Sequence, residues 1–299
     1  MPGHVRKYID EFTVESRTQQ EWRWLIATAF FLGGVGAGQF IISVLQNFWA
    51  GMVVGWLIVV VGKGTAHALY LGRPLRAWRA FARPGRSWIS RGMIFIAIFA
   101  VFSLLYMAPS IEVFSGLPWD AGTSMGQFLK VVSILSALGV MVYTGFLMAY
   151  CPSIPFWNTS LLPILFIVYG FMGGLGMNFI TAAFGAQFPG NMKLLEVAGI
   201  GLLTLTAVIL LSYLGSMFKS TTGSREAVHS LVWGENSLLF WGGAIVLGIL
   251  IPLAVALSYL GVESPSTYTY LGMAAISELV GAFLFRYSLL RVGYFNPVI

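Results

Sequence analysis

Apolar residues in this chain gather in eight nearly continuous runs, separated by short polar stretches or by Pro and Gly. About 20 apolar residues is the length of helix that crosses the hydrocarbon core of a bilayer. The runs predict membrane-spanning helices over residues 22–46, 51–71, 91–111, 124–150, 159–181, 193–217, 231–259 and 268–290. Pro118, Pro152 with Pro155, Pro189-Gly190 and Pro265 mark turns between them. Trp22 and Trp24 open the first run, and Trp88 and Trp233 stand at the third and seventh, as an interfacial aromatic belt requires. Eight spans put both termini on one side of the membrane.

Composition agrees with the pattern. The chain is 58% hydrophobic and 9% charged, too little polar surface to cover itself in water, so an all-α integral membrane protein is expected. Residues 1–21 are polar and are read as a retained N-terminal segment, not a cleaved leader. Cys151 is the sole cysteine, which excludes an internal disulfide, an iron–sulfur cluster or a cysteine-ligated zinc built from this chain alone. The net charge of +6 reflects topology and does not call for nucleic acid as a partner. Of the 17 Lys and Arg, fourteen fall on the side of the termini, Lys193 alone on the other, and Lys63 and Lys130 within predicted spans. The positive-inside rule then places both termini in the cytoplasm.

The basic residues are densest between Leu71 and Gly92, where Arg73, Arg76, Arg79, Arg83, Arg86 and Arg91 occur without an acidic residue. At 100° per residue the first four arginines share one arc, and Leu75, Trp78, Phe81 and Ala82 the other, which predicts a helix lying in the membrane interface and ended by Pro84. Two readings stand: a cytoplasmic loop that only fixes topology, and a docking surface beside a quinone pocket. Phe31-Leu-Gly33-Gly34-Val-Gly36 in the first run is echoed by Phe171-Met-Gly173-Gly174-Leu-Gly176 in the fifth. The echo fits two parallel four-helix halves whose glycines allow close helix contact; general glycine richness of membrane helices is the competing account.

Ionisable groups inside spans are costly and are therefore functional candidates. Lys63 and His67 lie one turn apart on the second span. His67 has the chemistry to bond a quinone carbonyl and carry its proton, or else to cap and pack a helix end. Lys63, Glu235 and Glu278, with Glu196, Arg286 and Arg291 on the sixth and eighth spans, read as a proton path or as a structural ion-pair set. Tyr143, near the end of the fourth span, can donate to a quinone oxygen or belong to the interfacial belt. With only His4, His67 and His229 available, a two-haem cytochrome is excluded, while one haem between His67 and His229 stays open.

Trp22-Arg-Trp24 before Phe31-Leu-Gly33-Gly34-Val-Gly36-Ala-Gly38, Leu71-Gly72-Arg73-Pro74 with Ser87-Trp88-Ile-Ser90-Arg91-Gly92, and Tyr143-Thr144-Gly145 with Pro155-Phe156-Trp157-Asn158 together resemble the NrfD/PsrC family of quinone-interacting membrane subunits. The resemblance covers essentially the whole chain and is most specific from LGRP to SWISRG. It implies eight transmembrane helices in two four-helix bundles, residues 22–150 with the quinone site and an interfacial Arg-rich loop at 72–91, then 151–299. It also implies no haem, a bound menaquinone or ubiquinone, and two partners: a four-cluster iron–sulfur subunit and a molybdenum or tungsten bis-pterin catalytic subunit.

Carried over to this sequence, the resemblance puts Tyr143, His67, Arg73 and Trp24 at the quinone and Arg76, Arg79, Arg83, Arg86 and Arg91 at the docking face. The chain departs from the family pattern at Ile26 and Ala29, where some members carry polar quinone contacts, and at Tyr70-Leu71, where an acidic residue or histidine is common; His67 is read as the replacement. The implied activity is electron exchange between the quinone pool of a prokaryotic inner membrane and a partner cluster, as in anaerobic respiration, with the catalytic centre in another subunit. Two rival functions are a pure membrane anchor and a small-solute transporter using Lys63 and Glu278.

Overall fold

The computed structural model describes residues 17–186, 189, 191–262 and 265–296. The polar segment through residue 16, Gly190 of the Pro189-Gly190 turn and the side chains of Leu75 and Tyr268 lie outside the described residues. Among the described residues the helices are α1 (Trp24–Leu45), α2 (Trp49–Tyr70), α3 (Trp88–Met107), α4 (Ser124–Ala149), α5 (Leu161–Ala183), α6 (Met192–Phe218), α7 (Thr222–Val232), α8 (Leu239–Tyr259) and α9 (Pro265–Arg291). All except α7 are long and apolar enough to cross a membrane, which bears out the eight expected spans.

The two glycine runs sit where the fold is tightest. Gly34 and Gly38 of α1 meet Gly170 and Gly174 of α5: a Cβ on Gly38 would overlap the Gly170 carbonyl, and one on Gly174 would overlap the backbone of Gly38 and Gln39. Small residues four apart on parallel helices allow this backbone contact. Around that pair, α1 also packs on α2, α4 and α9, and α5 on α4, α6 and α9. One apolar core lies among α1 to α4 around Phe40, Phe99 and Met141; another, around Phe166, Tyr213 and Phe285, joins α5 to α9.

Two elements differ from the sequence expectation. The seventh span begins at Leu239, not at residue 231, because Thr222–Val232 forms its own helix, capped by Thr221 accepting from Ser224 N. A turn then breaks the run: Trp233 N and Gly234 N both donate to His229 O, and Asn236 Nδ2 donates to Ser230 Oγ at 2.8 Å. The arginine-rich segment is a 3-10 helix over Pro74–Phe81 and ends before Pro84. Its arginines and its aromatics each recur at every third position, so three residues per turn align them on two ridges better than 3.6 does.

The two described ends are joined. Gln19 N donates to Gly293 O at 2.9 Å and Phe295 N to Arg17 O at 2.8 Å, an antiparallel bridge around Thr18 and Tyr294 that holds both described ends on one face.

Candidate functional site

The second helix carries Lys63 into the protein through a change of winding. Residues Ile58–Lys63 form a π-helical segment, which inserts a residue into the turn and rotates the remainder of the helix. Gly36 and Gly55 let α1 and α2 approach closely beside it. Lys63 is completely buried, and its Nζ donates to Ala29 O at 2.9 Å. Gly33 leaves the room: a Cβ there would come within 2.8 Å of Nζ. An ammonium has three donors and no acceptor, and no described carboxylate pairs with this one. Its other neighbours are the rings of Tyr143, with the centroid 5.0 Å away, and Phe30, at 5.9 Å.

Tyr143 is also held by α3. Ser87 caps α3, accepting from Ser90 N, so the helix starts at Trp88, three residues before the expected position. That start stacks Trp88 on Phe146 of α4, centroids 4.5 Å apart and rings 6° from parallel, and sets Gly92 flat against Tyr143. Tyr143 is 3% exposed, and its hydroxyl bonds to no described residue. One turn beyond Lys63, half-buried His67 places Nδ1 3.1 Å from Lys63 O. A carbonyl can only accept, so Nδ1 carries the hydrogen and Nε2 keeps its lone pair in the neutral ring.

Lys63 is thus brought against the Tyr143 ring, with His67 one turn farther along the same helix; no contact among the described residues joins the other proposed quinone residues to this pair. The ring of Trp24 stands 59% exposed at the first residue of α1, and Arg73 is exposed ahead of the 3-10 helix. Arg76, Arg79, Arg83 and Arg86 are exposed as well, none meets a described carboxylate, and Trp78 and Phe81 are exposed among them. Arg91 is turned inward on its own loop, donating to Pro84 O at 2.8 Å and Gly85 O at 3.1 Å, with its guanidinium 4.5 Å over the Trp88 ring.

Among α1, α5 and α9 lies a polar core that the sequence did not reveal as a unit. Arg286 is 1% exposed, donates from Nη1 to Ala282 O at 3.1 Å, and has Phe31, Phe166 and Tyr169 around its guanidinium at 5.8, 5.3 and 5.2 Å. Its Nε and Nη2 and the Tyr169 hydroxyl have no hydrogen-bond partner among the described residues. Because Arg286 is inside a span, it does not belong among the loop charges counted for topology. Farther along, Ser43 Oγ donates to Asn178 Oδ1 at 2.8 Å and Gln39 Nε2 to Thr181 Oγ1 at 3.0 Å. Glu278 is buried near Gly173 and Gly176, whereas Glu235 is exposed in the turn before α8, outside any span. Among the described residues no hydrogen bond or ion pair joins Lys63, Glu235 and Glu278, and no three His, Cys, Asp or Glu gather as a metal would require. His229 lies exposed on α7, outside the spans.

The family model described as "Polysulphide reductase, NrfD" matches residues 13–297. The chain belongs to the NrfD family. Among its relatives, the C subunit of the polysulfide reductase of Wolinella succinogenes is 27% identical, the match covering 94% of this chain and 96% of that one. Protein NrfD of Escherichia coli is 28% identical over 91% of this chain and 94% of its own, and the C subunit of the anaerobic dimethyl sulfoxide reductase of the same organism is 27% identical over 79% and 81%.

The structure divides the NrfD-like motifs between two places. Trp22 stacks on Trp157 at 5.6 Å, and Trp157 Nε1 donates to Leu289 O at 3.0 Å, so the first tryptophan motif and Pro155-Phe156-Trp157-Asn158 meet beside the joined chain ends. SWISRG and Tyr143-Thr-Gly meet at Trp88, Gly92 and Tyr143. The second pair borders Lys63; the first is a packing feature. Burial of Trp157, 2% exposed, separates the two roles, and the sequence carried no sign of it.

Proposed function

We propose that this NrfD-family protein is the membrane subunit of an oxidoreductase and that a quinone from the membrane pool, menaquinone or ubiquinone, binds beside Tyr143, Lys63 and His67. The observation that carries this reading is a buried ammonium set against a buried phenol ring, each with bonding capacity left over: the Lys63 ammonium with one donor used and the Tyr143 hydroxyl, with His67 Nε2 one turn along the same helix. Quinone carbonyls only accept, and a phenol and an ammonium only a ring apart are suitable donors. A quinol exchanges two electrons and two protons with its surroundings. On this chain Tyr143 and Lys63 orient the ring oxygens, His67 takes or returns a proton at Nε2 toward the membrane face, and Phe30 and Phe146 keep water from the ring plane.

The names of the relatives support a redox complex: they include subunits of a polysulfide reductase and of a dimethyl sulfoxide reductase. In this reading Arg73, Arg76, Arg79, Arg83 and Arg86 form a guanidinium surface for the carboxylates of a four-cluster iron–sulfur subunit. That subunit is wired to a molybdenum or tungsten bis-pterin subunit where the substrate reacts. Arg91 keeps the loop folded beneath that surface. Residues 22–150 act as the quinone-binding bundle and 151–299 as its support, in a prokaryotic inner membrane with both ends cytoplasmic. Lys63 and Glu278 serve proton movement, with Glu235 at the face of the termini.

The test uses the complex purified with its native partners. Tyr143→Phe and His67→Ala should assemble normally, lower quinol-linked turnover at least tenfold and leave turnover with a soluble dye donor unchanged. Normal quinol-linked turnover in both would refute the site. A complex indifferent to quinone analogues would be an anchor only.

A further inference from the structure

We propose that Glu278 is a proton-binding site served from the membrane face opposite the termini, through a cavity that it shares with Glu196. The inference deepens the proton role given above to Glu278 but needs no quinone at Tyr143, and its test is read without one.

Four helices line the cavity. Gly176 of α5, Glu196 and Gly199 of α6, Ala256 of α8, and Ala274 with Glu278 of α9 are among its lining residues, and its volume is about 40 Å³. A water molecule needs some 10–15 Å³ measured this way, so about three fit if polar partners are present. The walls are apolar except at the two carboxyl groups. Both glutamates are buried, each 4% exposed.

The two carboxyl groups are bound differently. Glu196 Oε2 accepts from Gly261 N at 3.1 Å, at the end of α8, so this side chain is fixed near the face where α8 ends and α6 begins. Glu278 accepts no hydrogen bond from any described residue, and its Oε1 is fully enclosed. It stands thirteen residues past Pro265, about 20 Å along α9. The charged or titratable groups toward it are Arg286 two turns on, Tyr169 from α5 and Glu196 from α6. From α8 come only Pro252 and Ala256. Arg286 does not touch it.

A buried carboxylate with neither a donor nor an ion in contact is offset by taking up a proton. The proton passes from hydronium in the cavity to Glu278, leaving water and a neutral carboxylic acid, and returns by the reverse step. Glu196, tethered by one oxygen, has the other free to bind the same water chain at its outer end. Gly176 makes the geometry possible, since a Cβ there would lie 2.6 Å from Glu278 Oε2.

Infrared spectroscopy of the full-length protein in its complex, followed through transfer from H2O to D2O, tests this. A protonated-carboxyl band that is lost in Glu278→Gln is expected, and it should shift within the mixing time in the unmodified protein. Glu196→Gln, and Ala274→Leu, which fills the cavity, should each slow that shift at least tenfold while the complex stays assembled. If Glu278→Gln fails to assemble, the exchange rate of the band in the other two variants still decides. Absence of the band, or exchange equally fast in both variants, would overturn the proposal whatever the outcome at Tyr143.

Discussion

Gly92→Ala perturbs the candidate site by one methyl group. A Cβ at residue 92 would overlap the Cδ2 and Cε2 edge of Tyr143 and lie 2.7 Å from Cγ. Carbon atoms pack at about 3.5–4.0 Å, so the ring must move by roughly 1 Å or more, or α3 must separate from α4. The ring also has Lys63 Nζ 5.0 Å from its centroid, itself bonded to Ala29 O, and is buried, which limits where it can move. Misplacing a positioning group by about 1 Å can cost on the order of 10²-fold in rate. The expected result is a fall of about that size in quinol-linked turnover, with dye-linked turnover unchanged. The measurement is steady-state turnover with a short-chain quinol and with the dye, on complexes whose subunit content has been verified. A variant with wild-type quinol turnover would show that the position of Tyr143 does not matter to the chemistry, and the site would have to be sought elsewhere.

Gly38→Ala drives a methyl group into the Gly170 carbonyl, and since backbone atoms cannot yield, overpacking should cost about 1–3 kcal/mol, read as a lower melting temperature in detergent. Trp157→Phe loses the bond to Leu289 O and part of the Trp22 stack; a loss of about 1–2 kcal/mol in the same assay, with quinol turnover intact, is expected. Lys63→Met keeps an unbranched side chain only one atom shorter and removes a buried charge without a carboxylate partner, so the fold should be equally stable or more so while quinol turnover falls. Reversing Arg76, Arg79 and Arg83 together should release the soluble partner subunits during purification, and the weakened attachment should be most evident as salt is raised.

The spans were legible because crossing a bilayer demands an apolar length, and that demand is local. The glycine echo pointed to the right two helices but to only part of their contact: Gly34 and Gly174 belong to it, whereas Gly38 and Gly170, which they meet, lie outside the repeated motif. What the sequence hides is rotation. Lys63 points inward because Ile58–Lys63 winds as a π-helix, and nothing in Ile-Val-Val-Val-Gly-Lys announces the change of pitch. Its placement over Tyr143, 80 residues on, depends on how three helices turn about their axes. The short helix Thr222–Val232 had a signal in the Thr221 and Ser224 cap, masked by the apolar residues after it that extended the next run. Trp22 reads as an interfacial residue by type, yet it stacks on the enclosed Trp157, because a tryptophan serves a belt or a core with the same ring.

The bridge between Thr18 and Tyr294 makes the covalent path of this protein almost a closed loop. First and last helices are neighbours by contact as well as by this clasp, so the order in which the helices are strung matters less than their adjacency. A gene rearranged to link the two joined ends and to open between α3 and α4, around Gly116, would string the same helices in a new order and keep every neighbour they now have.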